Sequence, residues 1–515
     1  MESNTAAKNK RIAKNTVLLY ARMILIMGVT LYTSRVVLRA LGDVDYGLFN
    51  VVGGVIVVLG FLTGSLSGAS SRFITYALGK NDMEEVKKTF STICCIHLLF
   101  AAGIVVLGET AGLWFVYHKM VIPAERMTAA LWVYHCSVAT SAAAIVSVPY
   151  NALIIARERM SAFAYVSLAE ALLKLLAAWT LLYTGYDKLV IYAVLYLGIQ
   201  LLVRLLYGGY CSRHFAESRA PLRWDGKTVK EIIVYAGWTV NGQMAVVGYT
   251  QGINILLNLF FGPVVNAARA IAVQVQTATM MFVQNFQTAI RPQIIKSCSA
   301  GDFAYMHTLV IASSKYGFFL MLLLIFPLVL CIEPVLRLWL GQVPAHTVEF
   351  AKIVLYIGLL EPFSLSLISA IHATGDIKKF QLFEATSLLT IVPISYLLLK
   401  TGHASPETVM WVYFFVALFT QAIRIWIVLP KIGMSYLFYL KKIVPRACAL
   451  IVCFVVPLHF FHIPAAVTWW VFALYAAAAA AYIGVCIGVF GFEADEWRKI
   501  IGFLRKRQRT RPLSE

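Results

Sequence analysis

Residues 266–293 read NAARAIAVQVQTATMMFVQNFQTAIRPQ, and they place two arginines and five glutamines in a stretch long enough to cross a membrane. A polar side chain in hydrocarbon is costly, so such groups normally face the interior of a helix bundle or a hydrated cavity. At about 100° per residue, one broad helical face carries most of these polar groups. They are Asn266, Arg269, Gln276, Thr277, Gln284, Gln287 and Arg291. The stretch therefore predicts a membrane helix with one buried or cavity-lining side.

The rest of the chain has the composition of a membrane protein. Of its 515 residues, 60% are hydrophobic and 13% are charged, and the mean hydropathy is +0.76. The apolar material comes in stretches of about 20 residues, which is the length of a spanning helix. We therefore predict an all-α integral membrane protein with about fourteen transmembrane helices. Their centres lie near residues 27, 62, 102, 140, 172, 200, 245, 277, 319, 360, 390, 418, 452 and 478.

The positive charge follows the predicted topology. The first apolar run is too long for a signal peptide and is interpreted as an uncleaved span, and an even number of spans puts both termini on one side. The connections and tails on that side hold about 30 of the 44 lysines and arginines, which predicts cytoplasmic termini. The net charge of +19 thus serves orientation and contact with anionic lipid, and nucleic-acid binding is not expected.

A weak internal repeat divides the chain. Residues 41–44 (LGDV) open span 2 and residues 261–264 (FGPV) open span 8, at an offset of 220 that also relates Asn81-Asp82 to Gly301-Asp302. Arg72 and Arg291 lie at matching ends of the same two spans, one residue off that offset. Six helices per copy is an even number, so the copies have the same orientation and a pseudo-axis along the membrane normal.

The repeat predicts two six-helix lobes and two additional helices. The limits are 1–215 for the N-lobe, 216–230 for a cytoplasmic loop, 231–431 for the C-lobe, 432–492 for spans 13 and 14, and 493–515 for a basic tail. All connections are short, so the function is expected to lie in the helices.

Span 7 carries amides as well, with Gln251, Asn254 and Asn258 spaced i, i+3, i+7. Each such amide could simply join two helices, which is worth about 0.6–2 kcal/mol. Two consecutive amide-rich helices are better explained by a hydrated cavity, for which Asn254, Asn258, Gln276, Gln284, Gln287 and Arg291 are candidate ligand-binding residues.

Three cations lie within spans without an acid nearby in sequence: Arg22, Arg269 and Lys315. Unpaired cations facing an amide-lined space predict an anionic ligand, and the fixed fork of donors of arginine suits phosphate oxygens. Glu170 and Lys174 have the i, i+4 spacing of a helical ion pair, which is either structural or involved in ion coupling.

Several kinds of chemistry are missing from the sequence. It contains no Walker motif, no metal-ligand spacing of histidine and cysteine, and no nucleophile with an adjacent base. We therefore expect no enzyme activity, no cofactor and no bound metal.

The sequence resembles the polysaccharide-transport branch of the MATE/MOP flippase superfamily, which includes O-antigen and capsule flippases. The resemblance rests on RALGDVDYGLFNVV (39–52), SRFITYALGKND (71–82) and VPYNALIIARERM (148–160). It implies transport of an undecaprenyl-diphosphate-linked oligosaccharide from the inner to the outer leaflet of the bacterial cytoplasmic membrane by alternating access. The cation-lined cavity of the family corresponds best to Arg22 and Arg269, and less clearly to Lys315. Membrane lipids are implied partners, and a coupling ion, H+ or Na+, stays open.

Two alternatives fit less well. A drug/cation antiporter of the same superfamily has twelve helices and uses buried acids, whereas the buried excess here is positive. A polysaccharide polymerase generally has sizeable outer loops with catalytic or basic residues, and the outer loops here are short.

Overall fold

The computed structural model describes residues 2–57, 60–120, 122–340, 343–401, 404–460, 469–493 and 496–498. Within these ranges all regular structure is helical. The helices are α1 (Glu2–Val57), α2 (Gly60–Gly79), α3 (Met83–Leu107), α4 (Leu113–Lys119), α5 (Met127–Ala156), α6 (Met160–Tyr183), α7 (Lys188–His214), α8 (Gly226–Phe261), α9 (Pro263–Ser299), α10 (Phe303–Leu330), α11 (Ile332–Leu340), α12 (Thr347–Gly358), α13 (Glu361–Thr374), α14 (Lys378–Leu389), α15 (Ile391–Lys400), α16 (Pro406–Lys431), α17 (Tyr436–Phe460) and α18 (Trp469–Cys486).

Eleven helices in the described part of the chain are long and apolar enough to cross a membrane. The predicted spans 2, 8 and 13 are not among these eleven, but helices are present there. Span 8 is the 37-residue α9. It is long enough to cross a membrane, but its row of amides and arginines lowers its hydropathy. The all-helical membrane fold is therefore confirmed, and fourteen spans are compatible with it.

The backbone turns differ little between the two copies of the repeat. Gly42 (φ 74°) and Gly262 (φ 82°) both have a positive φ, which glycine adopts without a Cβ clash. Asn81 (φ 58°) and Gly301 (φ 74°) do the same at the other end of the repeated helix. The next residue then caps a helix in both copies: Asp82 accepts from the amide of Glu84 at 3.0 Å, and Asp302 accepts from that of Tyr305 at 3.1 Å. The offset of 220 thus relates turns that share a positive φ, and it relates the two aspartate caps that follow.

The described helices form two compact units. Unit 1 comprises 1–245, 285–306 and 369–385, and unit 2 comprises 246–284, 307–368 and 386–515. In unit 1, α5 packs against α2, α3 and α7, and α1 packs against α6. Leu19 of α1, Met160 of α6 and Ala289 of α9 form one of its buried clusters, so the end of α9 is part of this unit.

Unit 2 has one large apolar core. It includes Phe326 of α10, Phe350 of α12 and Phe454 of α17, all nearly inaccessible. α16 packs against α12 and α15. This core fixes the helices that carry the polar groups of unit 2.

Candidate functional site

Arg22 lies on α1 in unit 1, where it is half-buried. Its Nε donates to the Ser167 hydroxyl of α6, and its guanidinium carbon lies 4.3 Å from the Phe163 ring centroid. Glu170, one turn further along α6, is close enough to act on Arg22 electrostatically. That carboxylate is paired with Lys174 at 2.7 Å. Arg22 is thus hydrogen-bonded to a neutral hydroxyl, and the nearby acid has its own cation.

Arg269 lies on α9 in unit 2 and is 5% exposed. Its Nη1 donates to Oδ1 of Asn254 on α8. Asn254 in turn donates to Oε1 of Gln251 at 3.1 Å, and its main-chain oxygen accepts from Asn266 Nδ2 at 3.1 Å. Arg269 Nε and Asn266 Oδ1 are buried and have no hydrogen-bond partner among the described residues. The structure therefore brings Arg269 and Asn254 together, as neighbours in an amide network.

Arg22 and Arg269 share an electrostatic property. Each has a neutral oxygen as partner, and within the described ranges neither forms an ion pair. A charge removed from water is costly unless it is paired. The positive charge of both arginines is therefore not balanced by a carboxylate of the protein. An anion with several oxygens can meet it through charge-assisted hydrogen bonds.

Lys315 is placed differently. It is 6% exposed, and its ammonium is paired with Glu496, which also accepts from the Tyr316 hydroxyl at 3.2 Å. The Lys315 Nζ lies 5.7 Å from the Phe492 ring centroid. Sequence reasoning missed Glu496 because it lies 181 residues further along the chain. The available signal was a cluster of three acids, Glu493, Asp495 and Glu496, at the start of a basic tail.

The remaining predicted residues are distributed over both units. In unit 2, Asn258 and Gln284 are exposed and Gln276 is half-buried. In unit 1, Gln287 is 6% exposed and Arg291 lies 3.5 Å from His372.

Two further polar contacts were not predicted. The buried Glu158 carboxylate, at the turn between α5 and α6, accepts from Gln293 and Lys296 of α9, both at 2.6 Å. The hydroxyls of Tyr249 and Tyr413 lie 3.2 Å apart, near Arg269. No group of histidine, cysteine, aspartate and glutamate that could hold a metal ion is found where the structure is described.

The family described as "Polysaccharide biosynthesis protein" matches residues 12–297 of this chain. No curated protein matches the sequence.

Solved structures of transporters match over most of the chain. An outward-facing multidrug resistance MATE family transporter of the MOP superfamily is 14% identical, with a TM-score of 0.69 over 82% of this chain and 96% of that one. A MATE protein in the bent conformation is 13% identical, with a TM-score of 0.72 over 83% and 96%. A MOP superfamily transporter from Pyrococcus furiosus, described as having a binding pocket of reverse polarity, is 14% identical, with a TM-score of 0.67 over 82% and 96%. At this identity the similarity establishes the fold.

Proposed function

The chain belongs to the polysaccharide biosynthesis protein family and has the fold of the MATE/MOP transporters, and from this we propose that it is a lipid-linked oligosaccharide flippase. Its cargo would be an undecaprenyl-diphosphate-linked oligosaccharide, moved from the inner to the outer leaflet of the bacterial cytoplasmic membrane. Transport would proceed by alternating access through a cationic, amide-lined cavity, with both termini in the cytoplasm. The lipid tail would stay in the bilayer.

The observation that carries this proposal is that the two intramembrane arginines have neutral hydrogen-bond partners. Arg22 and Arg269 are hydrogen-bonded to a hydroxyl and an amide oxygen. A carrier of cationic drugs needs buried acids for its cargo, whereas these two residues offer positive charge to a ligand. A diphosphate, with its several charged oxygens, matches the donor fork of arginine.

The amides suit the sugar part of the same cargo. An amide both donates and accepts hydrogen bonds, so it can exchange partners along a series of hydroxyls. Asn254 shows this in the structure, since it accepts from Arg269 and donates to Gln251. Asn258, Gln276, Gln284 and Gln287 are the further amides proposed to contact sugar. Lys315 is left out of the proposed site because Glu496 already pairs with it.

The sidedness of the cargo tests the proposal. In a host lacking the gene, the labelled lipid-linked oligosaccharide should collect in the inner leaflet of the cytoplasmic membrane. The intact gene should relieve this accumulation, and the double variant Arg22→Gln with Arg269→Gln should not. Neither substitution should prevent insertion, because removing a charge from a membrane helix favours insertion by roughly 2.5 kcal/mol or more.

Arg204 offers a matched control on α7. It is also an arginine within a span, and its guanidinium carbon lies 3.9 Å from the Tyr150 ring centroid, much as that of Arg22 lies near Phe163. Arg204 does not belong to the proposed site, so it matches Arg22 in charge and in its aromatic contact but not in its proposed role. Arg204→Gln should restore sidedness nearly as well as the wild type. Unchanged sidedness on gene deletion, together with new sensitivity to cationic drugs, would instead indicate the antiporter. Single unpolymerised units on the outer leaflet would indicate the polymerase.

A further inference from the structure

A second group of buried cations lies in unit 1, at the ends of α2 and α9. Arg72 is 7% exposed, Tyr235 is 4% exposed and His372 is 9% exposed. The Arg72 guanidinium carbon lies 5.4 Å from the Tyr235 ring centroid, and the Tyr235 and His372 ring centroids are 5.7 Å apart. Arg291 completes the group, with Nη2 3.5 Å from His372 Nδ1. Four polar side chains from α2, α8, α9 and α13 therefore form a continuous row, in which Tyr235 lies next to Arg72 and His372 lies next to Arg291.

The positive charge of this group is not neutralised by the protein. Arg72 donates to the main-chain oxygens of His372 at 3.1 Å and Ala373 at 3.4 Å, which are the last carbonyls of α13. Neither Arg72 nor Arg291 forms an ion pair with a described residue. The exposed Glu231 is the acid that acts on Arg72 electrostatically. Two guanidinium groups thus contact one histidine without a carboxylate between them.

Three atoms of the group lack hydrogen-bond partners in the described structure. They are Tyr235 Oη, Arg291 Nε and His372 Nε2, all buried. A buried polar atom without a partner destabilises the folded state. A water molecule can bond to such atoms but leaves the two positive charges as they are. An oxyanion would satisfy donors and charge together.

A cavity of about 500 Å³ opens onto Arg72 and Tyr235, and His372 and Arg291 follow behind them in the group. Arg72, Tyr235 and Trp238 line it, and charged residues of both signs stand around it: Lys230, Lys378, Glu231 and Asp376. Gly375, at φ 82°, lets the main chain approach Arg72 closely, since a Cβ there would overlap the guanidinium group. A ligand that enters the cavity past Lys230 and Lys378 therefore has a path to Arg72.

We propose that Arg72, Arg291, Tyr235 and His372 form a binding site for a phosphate-class oxyanion, separate from Arg22 and Arg269. Arg72 and Arg291 lie at corresponding ends of the repeated helix, one residue off the offset of 220, so each copy supplies one cation. A charged phosphate oxygen is a stronger acceptor than a main-chain carbonyl, and the anion would compete with the end of α13 for Arg72. The identification of the anion as the diphosphate of the cargo rests on the proposed function. The binding of an oxyanion does not rest on it.

Inorganic pyrophosphate is the probe for the site. Titrated calorimetrically into the purified full-length protein in detergent, it should bind to the wild type and bind at least about tenfold more weakly to Arg291→Gln. Tyr235→Phe, which removes one hydroxyl and no charge, should weaken binding about threefold. Arg219→Gln is the control, because Arg219 is an exposed arginine bonded to main-chain oxygens in the last turn of α7, and it should leave the affinity unchanged. Arg72→Gln tests the other cation. If it unfolds because α13 loses its cap, Arg72→Lys is measured in its place.

A second arm separates the sources of the anion. Undecaprenyl diphosphate in phosphatidylcholine vesicles should displace pyrophosphate if the lipid headgroup is the ligand, and binding of pyrophosphate without such displacement assigns the site to free phosphate. Equal affinities of wild type and Arg291→Gln would overturn the site. The site would also be overturned if the double variant Arg22→Gln with Arg269→Gln lost pyrophosphate binding while Arg291→Gln still bound it. That result would leave the flippase proposal intact. Normal sidedness of the cargo without the gene would overturn the flippase and not the site.

Discussion

Arg269 and Lys315 are two cations of unit 2 with almost the same burial, at 5% and 6% exposure, but different partners. Arg269 is bonded to the amide oxygen of Asn254, whereas Lys315 is paired with the carboxylate of Glu496. Both lie within predicted spans, and both lack an acid nearby in sequence. Burial therefore does not separate these two cations; the charge of the partner does.

The partners also differ in what the protein gains from them. Glu496 belongs to the segment after α18, so its bond to Lys315 fastens that segment to α10. Asn254 and Arg269 belong to the consecutive helices α8 and α9, which Gly262 already joins. The neutral amide leaves the positive charge of Arg269 without a carboxylate partner, and in the proposed function that charge is available to a ligand.

The largest effect is expected for Arg269→Gln on transport. Losing a hydrogen bond to a charged group of about 1.5–3 kcal/mol should slow flipping roughly tenfold to hundredfold. The thermal midpoint should stay equal or rise, because no carboxylate loses its partner. Proteoliposomes with a labelled lipid-linked oligosaccharide measure the rate, and thermal unfolding in detergent measures stability. A fully active variant would remove Arg269 from the proposed site.

Glu496→Gln should have the opposite profile, with stability lost and transport kept. Removing one partner of a buried ion pair costs about 3–5 kcal/mol. Because Glu496 is 28% exposed, we expect about 2–3 kcal/mol here. Lys315→Met should cost less, since it leaves the more exposed partner unpaired, and the double variant should recover most of the loss. A double-mutant cycle on thermal unfolding isolates the pair. Lys315→Met with normal stability and no transport would return Lys315 to the binding site.

The sequence predicted the helices and their polar faces but not which faces meet. Periodicity along one helix places Gln276 and Arg269 on a common side, and the turn at Gly262 makes Asn254 a neighbour of Arg269. Contacts between distant helices carry no such local signal. Arg72 meets His372 across 300 residues, and Lys315 meets Glu496 across 181. Both depend on how helices far apart in the chain pack, which the apolar spacing of one helix leaves undetermined.

Acid should remove the stabilisation supplied by Glu496. Burial opposes ionisation of this carboxyl, but hydrogen bonds from the Glu493 amide and Lys315 lower its pKa below the ordinary value of 4.5. A depressed pKa contributes stability above pH 4.5 that is lost as the pH falls through the folded-state value. The difference in thermal midpoint between wild type and Glu496→Gln should thus be constant from pH 7 to 5 and shrink below 4.5. A difference independent of pH would show that Glu496 does not act through its charge.

The smallest effect is expected at the neighbouring pair of Glu493 with Lys442. Their atoms are 2.9 Å apart, but the side chains are 28% and 39% exposed, and Arg446 also reaches Glu493 at 3.0 Å. Lys442→Gln therefore leaves Glu493 paired and should cost no more than about 1 kcal/mol, the usual range for exposed ion pairs. Salt should weaken this contribution, because exposed charges are screened, and should leave that of Lys315 nearly unchanged. Thermal unfolding of both variants in low and high sodium chloride measures the contrast. Equal salt dependence would mean that Lys315 is as hydrated as Lys442, and that its burial does not set it apart.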